Sequence, residues 1–172
     1  MNYNEIKGDL IKLAKQGSFD VITHGCNCFS TMGAGISVSM KNEFGCDKFP
    51  MELQGPDINK LGCIDYKDIH VIPVMRELTI NGVTRESPDY SGITVTVVNS
   101  YTQYHYGRKY GPPLDYEALT LCMRKINSIF KGKHIGLPTI GAGLAGGQWY
   151  HIKQIIQTEL KDCKVTVVIY NK

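Results

Sequence analysis

Residues 19 to 44 hold the densest set of groups that could do chemistry. A short apolar run, Val21-Ile22, ends in His24, Cys26, Asn27 and Cys28, and a glycine pair, Gly33 and Gly35, follows around Ala34. An imidazole titrates near neutral pH, so His24 is a candidate general acid or base. Its rival reading is a hydrogen-bonded histidine at a strand end. Gly33 and Gly35 let the backbone approach a ligand closely and take positive φ. Ile36, Met40 and Phe44 then recur at a four-residue step, one face of a helix. Strand, glycine loop and helix in that order aim backbone N–H groups at an anion. The spacing is neither a Walker loop nor the dinucleotide fingerprint, since no Gly-Lys-Ser/Thr and no third glycine follow.

The chain repeats this pattern. Met-Gly-Ala-Gly-Ile at 32–36 is echoed by Ile-Gly-Ala-Gly-Leu at 140–144. Each copy follows a predicted strand and precedes a predicted helix. Both could be plain tight turns. As a pair at one sheet edge they could instead hold a pyrophosphate between them. Cys26-x-Cys28 with His24 resembles a metal set, but zinc pairs usually have two to four intervening residues and a second pair elsewhere. No metal is expected.

The elements that must position these groups can be read in order. Residues 3–7 form a strand, and Asp9 caps a helix carrying Leu10, Ile11, Leu13 and Ala14. The Asp9 carboxylate could also accept from an exocyclic amine. Residues 45–60 hold several turn formers and read as irregular. Segments 63–66 and 70–75 read as two strands, with Pro73 confining the second to an edge. Asn81-Gly82 marks a hairpin turn, and 84–92 reads as an exposed loop. Ile93 to Val98 is a β-branched strand. Residues 99–113 follow as a loop with Tyr101, Tyr104, Tyr106 and Tyr110, able to stack on a base or serve as a plain lid. Asp115 caps a helix with Leu119, Cys122, Met123, Ile126, Ile129 and Phe130 on one side. A short strand at 134–137, a helix face of Trp149, Ile152, Ile156 and Leu160, and a strand from Val165 to Tyr170 complete the chain. Alternating strands and helices predict a largely parallel sheet with helices on both faces, and ligands beyond the strands' carboxyl ends.

The bulk numbers fit that class. A length of 172 residues suits a single domain spanning 1–172. A net charge of +3 without a Lys/Arg block argues against a large nucleic-acid surface. No apolar run is long enough for a bilayer, and the first residues lack an apolar signal core, so a cytoplasmic location is the default. The six cysteines are expected as reduced thiols. A monomer without a cofactor is the default.

Lys-Gly-Asp-Leu (7–10), His-Gly-Cys-Asn (24–27), Met-Gly-Ala-Gly-Ile (32–36), Asp-Tyr-Glu-Ala-Leu (115–119) and Pro-Thr-Ile-Gly-Ala-Gly-Leu (138–144) together resemble the macrodomain family. The resemblance covers nearly the whole chain and is carried by the set of motifs, not by one of them. It is strongest to the branch with yeast- and phage-type ADP-ribose 1″-phosphate phosphatases and the terminal ADP-ribose protein glycohydrolase. It implies an α/β fold, a three-layer α/β/α macrodomain with a central mixed, largely parallel sheet. It also implies an ADP-ribose site. Asp9 and Leu10 would meet the adenine, with Tyr170 and Asn171 close by. Met32, Gly33, Ala34, Gly35 and Ile36 would wrap the pyrophosphate and distal ribose from one side. Thr139, Ile140, Gly141, Ala142, Gly143, Leu144, Ala145 and Gly146 would do so from the other. Asn27 would bond the distal ribose hydroxyls.

One departure from the family pattern bears on activity. In the glycohydrolase relatives a lysine forms a covalent adduct with the opened ribose, and an aspartate of the second glycine loop assists. Gln103 and Ala145 fall at those positions, and neither supplies a nucleophile or a base. The leading expectation is therefore a phosphatase that hydrolyses ADP-ribose 1″-phosphate to ADP-ribose and phosphate. His24 is its first catalytic candidate, with Asn27 positioning water or the ribose, and His105 and Asp115 behind them. The alternatives are a non-catalytic ADP-ribose-binding module, a hydrolase of O-acetyl-ADP-ribose or of ADP-ribosylated protein, and a binder of a different nucleotide.

Overall fold

The computed structural model describes residues 2–71, 75–88, 92–109 and 111–170. Six strands form one sheet: β1 (Tyr3–Gly8), β2 (Val21–Asn27), β3 (Ile64–His70), β6 (Thr94–Gln103), β7 (His134–Leu137) and β8 (Lys164–Tyr170). Their spatial order is β1-β8-β7-β2-β6-β3. Every neighbouring pair is parallel except β3 with β6. Between β3 and β6 in the chain, β4 (Met75–Ile80) and β5 (Val83–Pro88) make a separate two-stranded hairpin. Its two-residue turn has positive φ at both Asn81 and Gly82, which matches the right-handed twist of the strands.

Helices cover both faces. α1 (Leu10–Lys15) and α2 (Ile36–Phe44) lie on one side, and α4 (Tyr116–Ile129) and α5 (Trp149–Glu159) on the other. Alternate side chains of the strands feed the two cores. Ile22, Val95, Val97 and Val168 pack with Leu10, Ala14, Met40 and Phe44. Val21, Val98, Ile135, Val165 and Val167 pack with Leu119, Met123, Ile126, Ile152 and Ile156. Each of these side chains larger than Ala14 contributes about 1.5–3 kcal/mol on removal from water, before the entropy of ordering it is subtracted. The architecture is the three-layer α/β/α arrangement expected from the sequence. Among the described residues no helix is long and apolar enough to cross a membrane.

Residues 45–60 are not irregular: they form a 3-10 turn at Cys46–Lys48, the one-turn helix α3 (Pro50–Leu53) and a second 3-10 turn at Ile58–Lys60. Pro50 opens α3 at a position where its missing N–H costs nothing. β3 runs unbroken from Ile64 to His70, past the predicted end at 66, and Met75 opens β4; residues 72–74 of the second predicted segment, Pro73 among them, lie outside the described residues. The stretch at 84–92 begins as strand β5, not as loop, because pairing with β4 continues to Pro88. β6 runs five residues past Val98, so the tyrosine-rich segment starts inside the sheet, with Tyr101 fully buried. Tyr110 lies outside the described residues. On α4, Ile129 is exposed rather than part of the apolar face. All six cysteines are free thiols.

Candidate functional site

The carboxyl ends of the parallel strands open into a cleft of about 1220 Å³. Open α/β sheets place ligands at this edge. β2 contributes Gly25 and Asn27, β6 contributes Thr102 and Gln103, and β8 contributes Val168 and Tyr170. Asp9 and Leu10 reach it from the start of α1. Both glycine loops form its walls, through Gly33 to Ile36 on one side and Thr139 to Gly141 with Gly143 to Ala145 on the other.

The first loop, 28–35, hangs on the Asn27 carboxamide. Its oxygen accepts from Phe29 N (3.0 Å), Thr31 N (3.3 Å) and Thr31 Oγ1 (3.0 Å), and its nitrogen donates to Thr31 O (2.8 Å). This leaves one amide hydrogen of Asn27 for a ligand. Gly35 then takes φ 62° as α2 begins, a conformation that favours glycine. The second loop, 138–148, folds through its own backbone, with Ala142 N donating to Thr139 O and Gly147 N to Gly141 O. Among the described residues, the N–H groups of Gly33, Ala34, Gly35 and Ile36 have no protein acceptor, nor do those of Gly141, Gly143, Leu144 and Ala145. Two rows of unbonded N–H groups thus stand in the two walls. Such rows attract an anion.

Arg108, from the segment after β6, also lines the cleft. It donates from Nε to Leu144 O (3.2 Å) and from Nη2 to Gly143 O (3.0 Å). Two carbonyls of the second loop are thereby turned toward the guanidinium. Asp9 Oδ1 accepts from Ile11 N and Lys12 N at 2.9 and 3.1 Å, capping α1 as expected. Glu43, at the same side, pairs with Lys15. Gln103 donates to His105 O.

The structure does not bring His24 to the cleft wall. Its ring is fully buried beneath the first loop. Nε2 meets Asn99 Oδ1 at 2.9 Å, Nδ1 stands 3.4 Å from Ser37 Oγ, and the thiols of Cys26 and Cys46 lie 3.7 and 3.6 Å from Nε2. Burial pulls its pKa down to about 4, against the opposing bond to Asn99. A buried, neutral ring outside the cleft lining is poorly placed for direct proton transfer there; its nearest cleft-lining polar partner is Ser37. The parity of the strand explains the placement: Ile22, His24 and Cys26 face α2, whereas Gly25 and Asn27 come to the cleft. The neighbouring thiols are held protonated by the same burial, Cys46 up to about 12. Among the described residues no group of three or more His, Cys, Asp or Glu side chains is arranged to hold a metal ion.

Of the other sequence-predicted residues, Met32 is buried against Cys46 Sγ, and Ala142 packs on the core rather than lining the cleft. Gly146 sits behind Arg108 and Pro112, outside the cleft lining. Asn171 lies outside the described residues. Asp115 caps α4 through Ala118 N (2.9 Å), and neither it nor His105 lines the cleft. Gly25, Ser37 and Thr102 line it without having been expected there, whereas Tyr106 and Arg108 come from the tyrosine-rich segment read as able to cover a ligand. For Arg108 the signal was present: a guanidinium in a tyrosine-rich segment after a central strand.

No family model matches the chain. It is 30% identical over 171 residues to the uncharacterized 17.5 kDa protein in the tk-vs intergenic region of Enterobacteria phage T4, covering 95% of this chain and 93% of that one. Among solved structures, the macrodomain of Mycobacterium tuberculosis DarG is similar, with a TM-score of 0.62, 19% identity and coverage of 99% of this chain and 97% of that chain. Thermosipho africanus DarTG, solved in complex with ADP-ribose, is similar with a TM-score of 0.67 and 16% identity, over 99% of this chain and 41% of that chain. The chain therefore belongs to the same family as the phage T4 protein, and its fold is that of a macrodomain.

Proposed function

We propose that the cleft binds ADP-ribose derivatives and that the protein hydrolyses ADP-ribose 1″-phosphate to ADP-ribose and orthophosphate. The two facing rows of unbonded backbone N–H groups carry this reading, since they suit a pyrophosphate laid between the loops. The adenine would lie at the Asp9–Tyr170 end, where the free Asp9 Oδ2 can accept from an exocyclic amine. The distal ribose would lie by Asn27, with the remaining Asn27 amide hydrogen on a ribose hydroxyl. Thermosipho africanus DarTG, similar in fold, was solved with ADP-ribose, which supports the ligand class.

At the 1″ position water would attack phosphorus, the bond from phosphorus to the anomeric oxygen would break, and that oxygen would take a proton. Backbone donors and Arg108 suit the charge that develops on the phosphoryl oxygens. Gln103 and Ala145 both line the cleft, so the covalent lysine route has no nucleophile there. Phosphorus NMR of ADP-ribose 1″-phosphate with catalytic protein tests the activity. Orthophosphate must grow over many turnovers while the pyrophosphate signals persist as ADP-ribose. An unchanged spectrum after hours removes the phosphatase.

One observation favours a second reading, a binding module without turnover. The carboxylates lining the cleft are Asp9 and Glu43, one capping α1 and the other paired with its Lys15. Among the described residues that line the cleft there is no histidine, and no further carboxylate joins these two. Tight calorimetric binding of ADP-ribose with no turnover of any derivative would select this reading.

A further inference from the structure

The cleft floor holds a polar atom that the fold leaves without a partner. Thr102 lines the cleft and is 1% exposed, and its Oγ1 is buried with no hydrogen-bond partner. An unpaired buried hydroxyl costs stability, so a fold that keeps one usually uses it. The backbone around it is also irregular. Cys26 pairs with Tyr101 but Asn27 pairs with Gln103, so Thr102 is the extra residue of a β-bulge in β6. Bulges occur beside active sites because they re-aim a side chain. The bulge is held in place by Asp115 N donating to Thr102 O at 2.9 Å.

Across from it stands Gly25, which also lines the cleft. A Cβ on Gly25 would lie 3.0 Å from Thr102 Oγ1 and 3.5 Å from Ile140 Cγ1. The glycine here is not needed for its backbone angle, since φ is not positive. What it provides is space beside the hydroxyl.

We infer that Thr102 is a ligand-contacting residue, whose hydroxyl reaches through the gap at Gly25 to bond a hydroxyl of the bound distal sugar. A threonine hydroxyl both donates and accepts, which matches an alcohol partner. The inference rests on the ADP-ribose reading of the cleft.

Thr102→Val removes the hydroxyl and keeps the branched shape; Thr102→Ser keeps the hydroxyl. Titration calorimetry of each against ADP-ribose and against ADP, which lacks the distal sugar, reads the effect. Thr102→Val should weaken ADP-ribose about tenfold and leave ADP within about twofold, while Thr102→Ser recovers ADP-ribose. The Val variant should melt no lower than the parent, because it removes an unpaired buried group. Gly25→Ala, which closes the gap, should lose ADP-ribose selectively as well. Parent-like ADP-ribose binding by Thr102→Val overturns the inference, and so does an equal loss of both ligands. If the parent protein binds ADP but gains nothing from the distal ribose, Thr102 has no sugar to hold and the inference falls while nucleotide binding stands. If it binds neither, the reading of the cleft falls and takes the inference with it.

Discussion

The two glycine loops share a Gly-Ala-Gly sequence and present the same unbonded N–H face, yet they are supported in opposite ways. The first rests on polar side chains. Asn27 makes four bonds into it. Ser30 holds φ 60° there, and its Oγ accepts from the buried Lys60 Nζ at 2.6 Å, which also donates to Gly55 O. His24 and Asn99 lie underneath. The second loop rests on aliphatic packing. A Cβ on Gly147 would fall on Leu114 Cδ2 and stand 2.9 Å from both Gly141 O and Ile152 Cδ1. A Cβ on Gly33, in the first loop, would meet nothing within 4 Å. The same motif can therefore be built once as a network of hydrogen bonds and once as a close-packed turn.

The largest effect should come from filling the packed loop. Gly147→Ala overpacks Leu114, Ile152 and a backbone carbonyl, and should cost about 3 kcal/mol in urea unfolding. Gly33→Ala should stay within about 0.5 kcal/mol. Equal costs for the two would mean that the loops are supported alike. Next comes the polar side. Asn27→Ala leaves two N–H groups and a carbonyl of the first loop without their partner and should cost about 2–3 kcal/mol. Asn27→Asp keeps the accepting oxygens and should recover more than half of that loss. If Asp is as damaging as Ala, the accepted bonds are not what holds the loop.

The contrast also marks what could be read in advance. Strands β1, β2, β7 and β8, helices α1, α2, α4 and α5 and the two loops follow from hydrophobic periodicity and glycine spacing, as with Val21-Ile22 and the face Ile152, Ile156, Leu160. Asp9 and Asp115 were legible as caps because a cap is a local bond. For His24 two readings stood open, an acid or base and a hydrogen-bonded strand histidine, and the choice between them was not legible. Whether the ring faces the cleft or the core depends on strand parity relative to a loop whose start the sequence does not mark. Thr102 was hidden for a related reason: a bulge is a property of two paired strands, and the sequence of β6 alone carries no sign of it. The helical turns in 45–60 were missed because glycine and proline mark short helix ends as readily as they mark loops.

The polar support should make the first loop the acid-sensitive one. In the folded protein the His24 pKa is lowered to about 4, against about 6.5 in the unfolded chain. The unfolded state therefore binds a proton that the native state refuses. The contribution is intact above about pH 6.5 and is lost as pH falls toward 4, with about 2 kcal/mol gone by pH 5. Burial raises the pKa of Glu52 and Asp65, so these carboxyls act with the opposite sign, favouring the native state as pH falls. His24→Gln isolates the histidine share: its stability should lose less than the parent between pH 7.5 and 5, by about that amount. Hydrogen exchange at pH 5 should quicken around Asn27 to Thr31 before it does at Gly146 and Gly147. Uniform quickening would place the acid sensitivity outside the first loop.

A small effect on stability should come from Arg108, and it separates shape from charge. Its two bonds to Gly143 O and Leu144 O are exposed, so Arg108→Gln should cost less than about 1 kcal/mol. The second loop would keep its packed base and lose only the tie at its rim. Arg108→Lys retains the charge but cannot span two carbonyls with a planar fork. If the packed loop needs that tie to hold its N–H row in register, both variants should lose ADP-ribose affinity alike, by about fivefold. If Lys restores binding while Gln does not, the guanidinium acts as a cation facing the ligand. The loop would then be self-sufficient in shape, and the difference between the two loops would be sharper than their hydrogen bonds alone imply.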